Sequence, residues 1–173
     1  PDYSSAASDV YKRQGVGEKP FSCLTHDPVR LAVISVGEFT AQCYNLSQGD
    51  EIFLRGPHGV PVTPREDAHI VCVAGGTGLA AVYQIAEDFG SEAQPVDLFV
   101  GARTANRLYF REECHTVGRV TLTTDDGSAG FAGRVSDALE EFLSQQPSEA
   151  LAKMVFYNCG PAPMIHASEA VQR

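Results

Sequence analysis

Ile70-Val71-Cys72-Val73-Ala74-Gly75-Gly76-Thr77-Gly78-Leu79-Ala80 is the stretch whose reading settles the fold of this 173-residue chain. Ile70–Val73 is short and wholly apolar, the pattern of a parallel strand buried on both faces. The glycines that follow let the backbone turn sharply, and Leu79–Asp88 then reads as a helix. Such a turn places free N–H groups and the positive end of a helix dipole at the carboxyl end of the strand. Open α/β sheets bind ligands at that edge. Structural tight turns look much the same. The stretch therefore establishes a strand–turn–helix unit and marks Gly75, Gly76, Thr77 and Gly78 as candidate phosphate contacts.

Downstream the alternation continues. Val96–Val100, Arg119–Thr123 and Met154–Tyr157 read as strands; Asn106–Cys114, Val135–Leu143 and Pro161–Val171 read as helices, with Pro163 tolerated in a first turn. This rhythm predicts a parallel sheet with helices on both faces over residues 65–173. Upstream the pattern is short strands broken by turn residues: Phe21–Leu24, Val29–Val36 and Glu51–Leu54, the last ended by Gly56-Pro57-His58-Gly59. These suggest part of an antiparallel β-barrel over residues 15–64, with Pro61–Pro64 as a linker. The fold class expected is α/β, a partial antiparallel barrel followed by a parallel sheet. Residues 1–14 stand apart: Ser4–Gln14 (SSAASDVYKRQ) resembles the translation of a sequencing-library adapter, and 1–14 is expected to be a disordered tail.

Further candidates fall at the ends of the remaining strands. Gly101-Ala102-Arg103 closes the second strand where a common dinucleotide fold has an acid for the ribose; Arg103 suits a phosphate or an adenine face, or merely caps a strand. Thr124-Asp125-Asp126-Gly127 holds paired acids, read in preference as a turn. Cys159 and Gly160 follow the fourth strand; the thiol lies against a substrate ring or fills a small apolar space. Gly37 precedes a short helix starting near Thr40, whose amides suit a pyrophosphate.

Composition narrows the classes of function. Hydrophobic residues make up 43% and charged residues 20%, the balance of a soluble globular chain, and no run of about 18 apolar residues occurs. The net charge of −9 disfavours nucleic acid. Five cysteines, at 23, 43, 72, 114 and 159, form no metal-ligand spacing, which predicts free thiols, no metal site and a reducing cytoplasm. The five histidines are scattered and receive no role.

In order, KPFS (19–22), VGEFT (36–40), GDEIFLRGPHG (49–59), VAGGTGLA (73–80), GART (101–104), TTDDGSAGFAGRVSD (123–137) and CGPAPM (159–164) resemble the ferredoxin–NADP reductase superfamily. Within it the chain is most similar to the electron-transfer subunit of type B dihydroorotate dehydrogenase. The resemblance implies FAD and NAD(P) as cofactors, a catalytic dehydrogenase partner in pyrimidine biosynthesis, and a [2Fe–2S] cluster in a segment beyond Arg173. It implies that Lys19, Pro20, Phe21, Ser22, Ile34, Gly37, Phe39 and Thr40 hold the flavin, with Ser22 near its N5. Gly75–Gly78 would hold the nucleotide phosphates, with Cys159 and Gly160 beside the nicotinamide. Lys19 departs from the commoner Arg, and Gly59-Val60-Pro61-Val62 from the usual Gly-Asn-Gly-Phe. The family's first barrel strands are expected upstream of Gly15. The alternatives are the flavin subunit of a sulfide dehydrogenase, ferredoxin:NAD(P) oxidoreductase or hydrogenase, and a nucleotide-binding domain without flavin.

Overall fold

A computed structural model describes residues 8–13, 17–91 and 93–173. Two sheets organise them. The first is antiparallel, with order β3-β2-β1-β4, built from β1 (Ser8–Arg13), β2 (Gly17–His26), β3 (Val29–Leu31) and β4 (Phe53–His58). A short helix, α1 (Glu38–Tyr44), lies between β3 and β4. The second sheet contains β5 (His69–Gly75), β6 (Val96–Ala102), β7 (Gly118–Thr124), β8 (Phe131–Ala132) and β9 (Met154–Cys159). All its pairings are parallel and its order is β8-β7-β6-β5-β9.

The sheet divides its side chains by the two-residue period of a strand. Ile70, Cys72 and Ala74 join Val96, Leu98 and Val100 in one apolar cluster, while Val71 and Val73 join Phe99 in another. The first cluster is closed by α2 (Leu79–Phe89) and α3 (Arg111–Val117). The second is closed by α4 (Val135–Ser144), whose Val135, Ala138, Leu139 and Phe142 recur at helical spacing. α5 (Ser148–Leu151) leads into β9, and α6 (Ala162–Val171) follows it. β5 is therefore buried on both faces, as its unbroken apolar run requires.

The two sheets meet through α2. Its buried residues run almost without interruption from Leu79 to Ala86, because the parallel sheet covers one side and Leu24 of β2 packs into the same cluster. Gln84 Nε2 lies 2.6 Å from His26 Nε2 across that contact. Arg30 adds an ion pair to Glu113 (3.4 Å) and sits 5.7 Å above the Phe110 ring.

Four expectations change. Residues 8–13, expected in a disordered tail, form β1 and pair with both β2 and β4. Ladder hydrogen bonds come from backbone groups, which any sequence supplies. The other residues of that expected tail lie outside the described ones. Val29–Val36 yields a strand only to Leu31, since the ladder with β2 ends at the Cys23–Leu31 pair. Gly56-Pro57 does not end β4: the register with β1 shifts there, and Gly56 takes a φ of 157° that favours glycine. Asn106–Cys114 divides into a 3-10 turn at Ala105–Arg107 and α3, separated by Phe110 at a left-handed φ of 58°.

Candidate functional site

The strand order fixes where a ligand crevice forms. The chain leaves β5 toward β6 on one side and returns to β9 on the other, so the order reverses between β5 and β9. In open parallel sheets the cleft at such a reversal, beyond the carboxyl ends of the strands, is the ligand site. Gly75–Gly78 leaves β5 there as a single 3-10 turn and enters α2 directly. Cys159 lies beside Ala74 in the ladder, so Cys159 and Gly160 face that turn. Gly101 pairs with Gly75, and Ala102 with Thr124, which brings Arg103 and the Thr124 turn to the same edge.

The glycines of the crevice answer to close contacts. A Cβ on Gly78 would fall 2.1 Å from the Cys159 carbonyl oxygen, and one on Gly75 would fall 2.5 Å from Met164 Sδ. A Cβ on Gly160 would meet Met164 Cε at 2.9 Å and Gly75 N at 3.0 Å. Gly76 differs. It takes a φ of 55°, and the space where its side chain would stand is open for 4 Å. The backbone of the turn is thus bare toward the crevice and packed tightly behind it.

Cys159 is half-buried, and burial raises its pKa above the ordinary thiol value. At neutral pH it presents an uncharged S–H, which suits a neutral aromatic ring better than a thiolate would. Arg103 is exposed and forms no ion pair among the described residues. The paired acids form the turn that sequence reasoning preferred. Asp126 accepts from Ser128 N at 3.0 Å and Ser128 Oγ at 2.5 Å, while Gly127 N donates to the Thr124 carbonyl. These bonds lower the Asp126 pKa, the Ser128 hydroxyl contributing most.

On the antiparallel sheet, Lys19, Pro20, Phe21 and Ser22 lie along β2, with Phe21 and Ser22 half-buried. The Phe21 and Phe39 rings stack at 6.2 Å between centroids. Phe21 also lines a cleft of about 280 Å³ with Leu31, Val33, Cys43, Tyr44, Leu46 and Ile52. Ile34 is 48% exposed in the irregular segment after β3. Gly37 is committed: its N–H and that of Val36 both donate to Thr40 Oγ1, at 3.1 and 2.9 Å. The Gly37 amide is therefore offered to a pyrophosphate only if Thr40 turns away.

Sequence reasoning passed over two residues of the crevice. Met164 packs behind Gly75 and Gly160, five residues beyond Cys159. Tyr109 reaches across from the far side of β6, its hydroxyl donating to the Gly76 carbonyl at 3.3 Å. Its only sequence signal is its place in the apolar triplet Leu108-Tyr109-Phe110.

Comparison with known proteins agrees with this geometry. Residues 72–170 match the family described as "Oxidoreductase NAD-binding domain". The chain belongs to that family. The matched span opens in β5 and closes in α6, so it takes in the whole crevice. A Methanocaldococcus jannaschii protein named "Probable dihydroorotate dehydrogenase B (NAD(+)), electron transfer subunit" is 34% identical over 151 residues, which is 87% of this chain and 56% of that protein. A Methanothermobacter thermautotrophicus protein of the same name is 36% identical over 86% of this chain and 54% of its own length. This chain thus spans about half the length of these curated relatives. Among solved structures, an NADH-dependent reduced ferredoxin–NADP oxidoreductase superposes with a TM-score of 0.79 at 25% identity, over 95% of this chain and 60% of that one. The ferredoxin reductase of carbazole 1,9a-dioxygenase shares the fold at the same TM-score and 20% identity, over 99% of this chain and 56% of that one. No helix among the described residues is long and apolar enough to cross a membrane.

Proposed function

We propose that this chain is the nucleotide- and flavin-binding part of a cytoplasmic electron-transfer subunit, passing electrons between NAD(H) and a partner dehydrogenase. Dihydroorotate dehydrogenase is the partner that the named relatives favour. The observation that carries the reading is the crevice between β5 and β9, where a bare glycine turn, a helix start and Cys159-Gly160 converge. Residues 65–173 serve as the NAD(P)-binding unit and residues 15–64 as the flavin-binding unit.

The residues present fit a nicotinamide nucleotide. Gly76 opens the turn, and the Thr77 and Gly78 amides ahead of α2 are the donors for its phosphates. Gly75 and Gly160 let the backbone pack closely on Met164 behind the crevice, and the uncharged Cys159 thiol borders the place a ring would take. Arg103 at the end of β6 is free for the adenosine end, whether or not that end carries an extra phosphate. On the other sheet, Lys19, Pro20, Phe21, Ser22, Ile34, Phe39 and Thr40 are the contacts for FAD, with Ser22 nearest the reacting ring. Gly37 contributes through the local backbone and not through its N–H, which Thr40 holds. Bound there, NAD(H) would supply hydride chemistry and the flavin would divide the electron pair into single electrons, for a [2Fe–2S] cluster elsewhere in such a subunit. The chain's own work is orientation: it fixes the two rings against each other and excludes water from between them.

The test extends the chain to the length of its relatives and adds NADH anaerobically. The expected result is a yellow protein whose flavin absorbance near 450 nm bleaches with NADH, then recovers on adding the dehydrogenase and orotate. A colourless protein that still binds NADH would leave a nucleotide-binding domain without flavin. Bleaching that only ferredoxin reverses would assign the module to a ferredoxin-linked reductase.

A further inference from the structure

Helices usually begin with i→i−4 hydrogen bonds, but α2 begins differently. The Gly76 carbonyl accepts from the Leu79 N–H, the i→i−3 pattern of a 3-10 turn, and uses its second lone pair for the Tyr109 hydroxyl at 3.3 Å. Tyr109 thus shares with the Leu79 N–H the carbonyl at which α2 begins.

This shared carbonyl bears on which way one peptide unit faces. In a trans peptide the C=O and the following N–H point in opposite directions. With its carbonyl turned toward Tyr109 and Leu79, the Gly76–Thr77 peptide directs the Thr77 N–H away from Tyr109. Gly76 tolerates either peptide orientation, so glycine alone does not choose between them. The Leu79 N–H and the Tyr109 hydroxyl together favour the observed one. The hydroxyl's position is set in turn by its neighbours: Leu108 is buried, and Phe110 is held at a φ of 58° with its ring edge-on to Tyr83 at 4.9 Å. Burial raises the Tyr109 phenol above the ordinary tyrosine range, so it keeps its proton and remains a donor.

We infer that Tyr109 is a positioning residue of the nucleotide site, holding the Gly76–Thr77 peptide with its N–H toward the phosphates of the bound nucleotide. This rests on the nucleotide reading of the crevice and adds to it a residue on a different strand connection. A side chain that set the turn would act on phosphate-bearing ligands and leave the adenosine moiety alone. A side chain that only filled space would act on both.

The experiment measures dissociation constants of the full chain for NADH, ADP and adenosine, in wild type and in Tyr109→Phe. Wild type is expected to bind NADH, and the variant to bind NADH and ADP about fivefold more weakly, the scale of one neutral hydrogen bond, with adenosine unchanged. Hydrogen exchange at the Leu79 amide, which donates to the same carbonyl, is expected to quicken in the variant, which reads the loosened turn independently of any ligand. NADH binding within twofold of wild type would overturn the inference and leave the nucleotide reading intact. So would an equal loss for NADH and adenosine, or unchanged exchange at Leu79. A wild-type chain that binds no NADH would remove the nucleotide site and this role together.

Discussion

Gly78→Ala separates two reasons for glycine that usually coincide. Gly78 has φ −59° and ψ −20°, right-handed helical values that alanine adopts freely. On backbone grounds alone the substitution stabilises by about 0.5–1 kcal/mol, because it restricts the unfolded chain and favours helix. The packing predicts the opposite. The new Cβ would stand 2.1 Å from the Cys159 carbonyl oxygen, 2.4 Å from its carbon and 2.8 Å from Gly160 N, all backbone atoms that no side-chain rotation can clear. Relieving such contacts forces the start of α2 away from the end of β9, and overpacking of this kind costs about 1–3 kcal/mol. The upper half of that range is expected here. For a chain of this size it lowers the melting temperature by about 4–9 °C. Because the crevice lies between the two displaced segments, NADH affinity is expected to fall as well. The assay is urea unfolding alongside a fluorescence titration with NADH. Stability equal to or above wild type would refute the reasoning, showing that α2 and β9 do not approach as described.

Two further perturbations probe parts remote from the crevice. Asp97, buried at the start of β6, accepts from Arg119 Nε at 2.8 Å and Nη2 at 2.7 Å and lies 2.5 Å from His69 Nε2. Asp97→Asn is expected to cost about 2 kcal/mol in urea unfolding, below the 3–5 kcal/mol of a fully buried pair because Arg119 stays 58% exposed and rehydrates. This cluster joins the amino ends of β5, β6 and β7, so NADH affinity should not change; a loss matching that of Gly78→Ala would contradict the placement. Burial pushes Cys72 to about 12 and Cys114 to about 11, against an unfolded value of 9.0. Between pH 9 and 11 the folded state therefore holds protons that the unfolded state has released, and stability falls as pH rises. The slope contributed by each thiol approaches about 1.4 kcal/mol per pH unit, and Cys72→Ala or Cys114→Ala is expected to remove that thiol's share. A stability profile flat across this window would count against their burial.

Much of the parallel half was legible because its elements are specified by local patterns. β5 is an apolar run bounded by turn residues, and α4 repeats its apolar residues at 135, 138, 139 and 142. The glycine turn at 75–78, and the candidates at 101–103 and 159–160 that follow strands, were legible for the same reason. In a parallel sheet every strand ends at the same edge, so chain order alone gathers these residues. The acidic pair at 125–126 was also read as a turn, as Asp-Asp-Gly chemistry dictates.

The antiparallel half was less legible. Whether Val29–Val36 remains a strand depends on how far β2 stays beside it, and whether residues 8–13 join the sheet depends on unpaired backbone elsewhere. The break at Phe110 likewise answers to Tyr83 and Arg30, distant residues that hold its ring, and not to its own preference. Ser22 and Thr40 were singled out, but that Thr40 captures the Gly37 amide was not visible.

The sequence by itself determined the strand–helix alternation of the parallel half, the position of the glycine turn and the family, because these rest on residue type and period along the chain. Only the tertiary structure decided that α2 is covered on two sides, that Gly78 touches Cys159, and that Tyr109 holds Gly76. The Gly78–Cys159, Gly76–Tyr109 and Leu24–α2 contacts each join residues more than 30 positions apart. Such pairs meet through the packing of separate elements, and nothing in the local sequence encodes the distance between them.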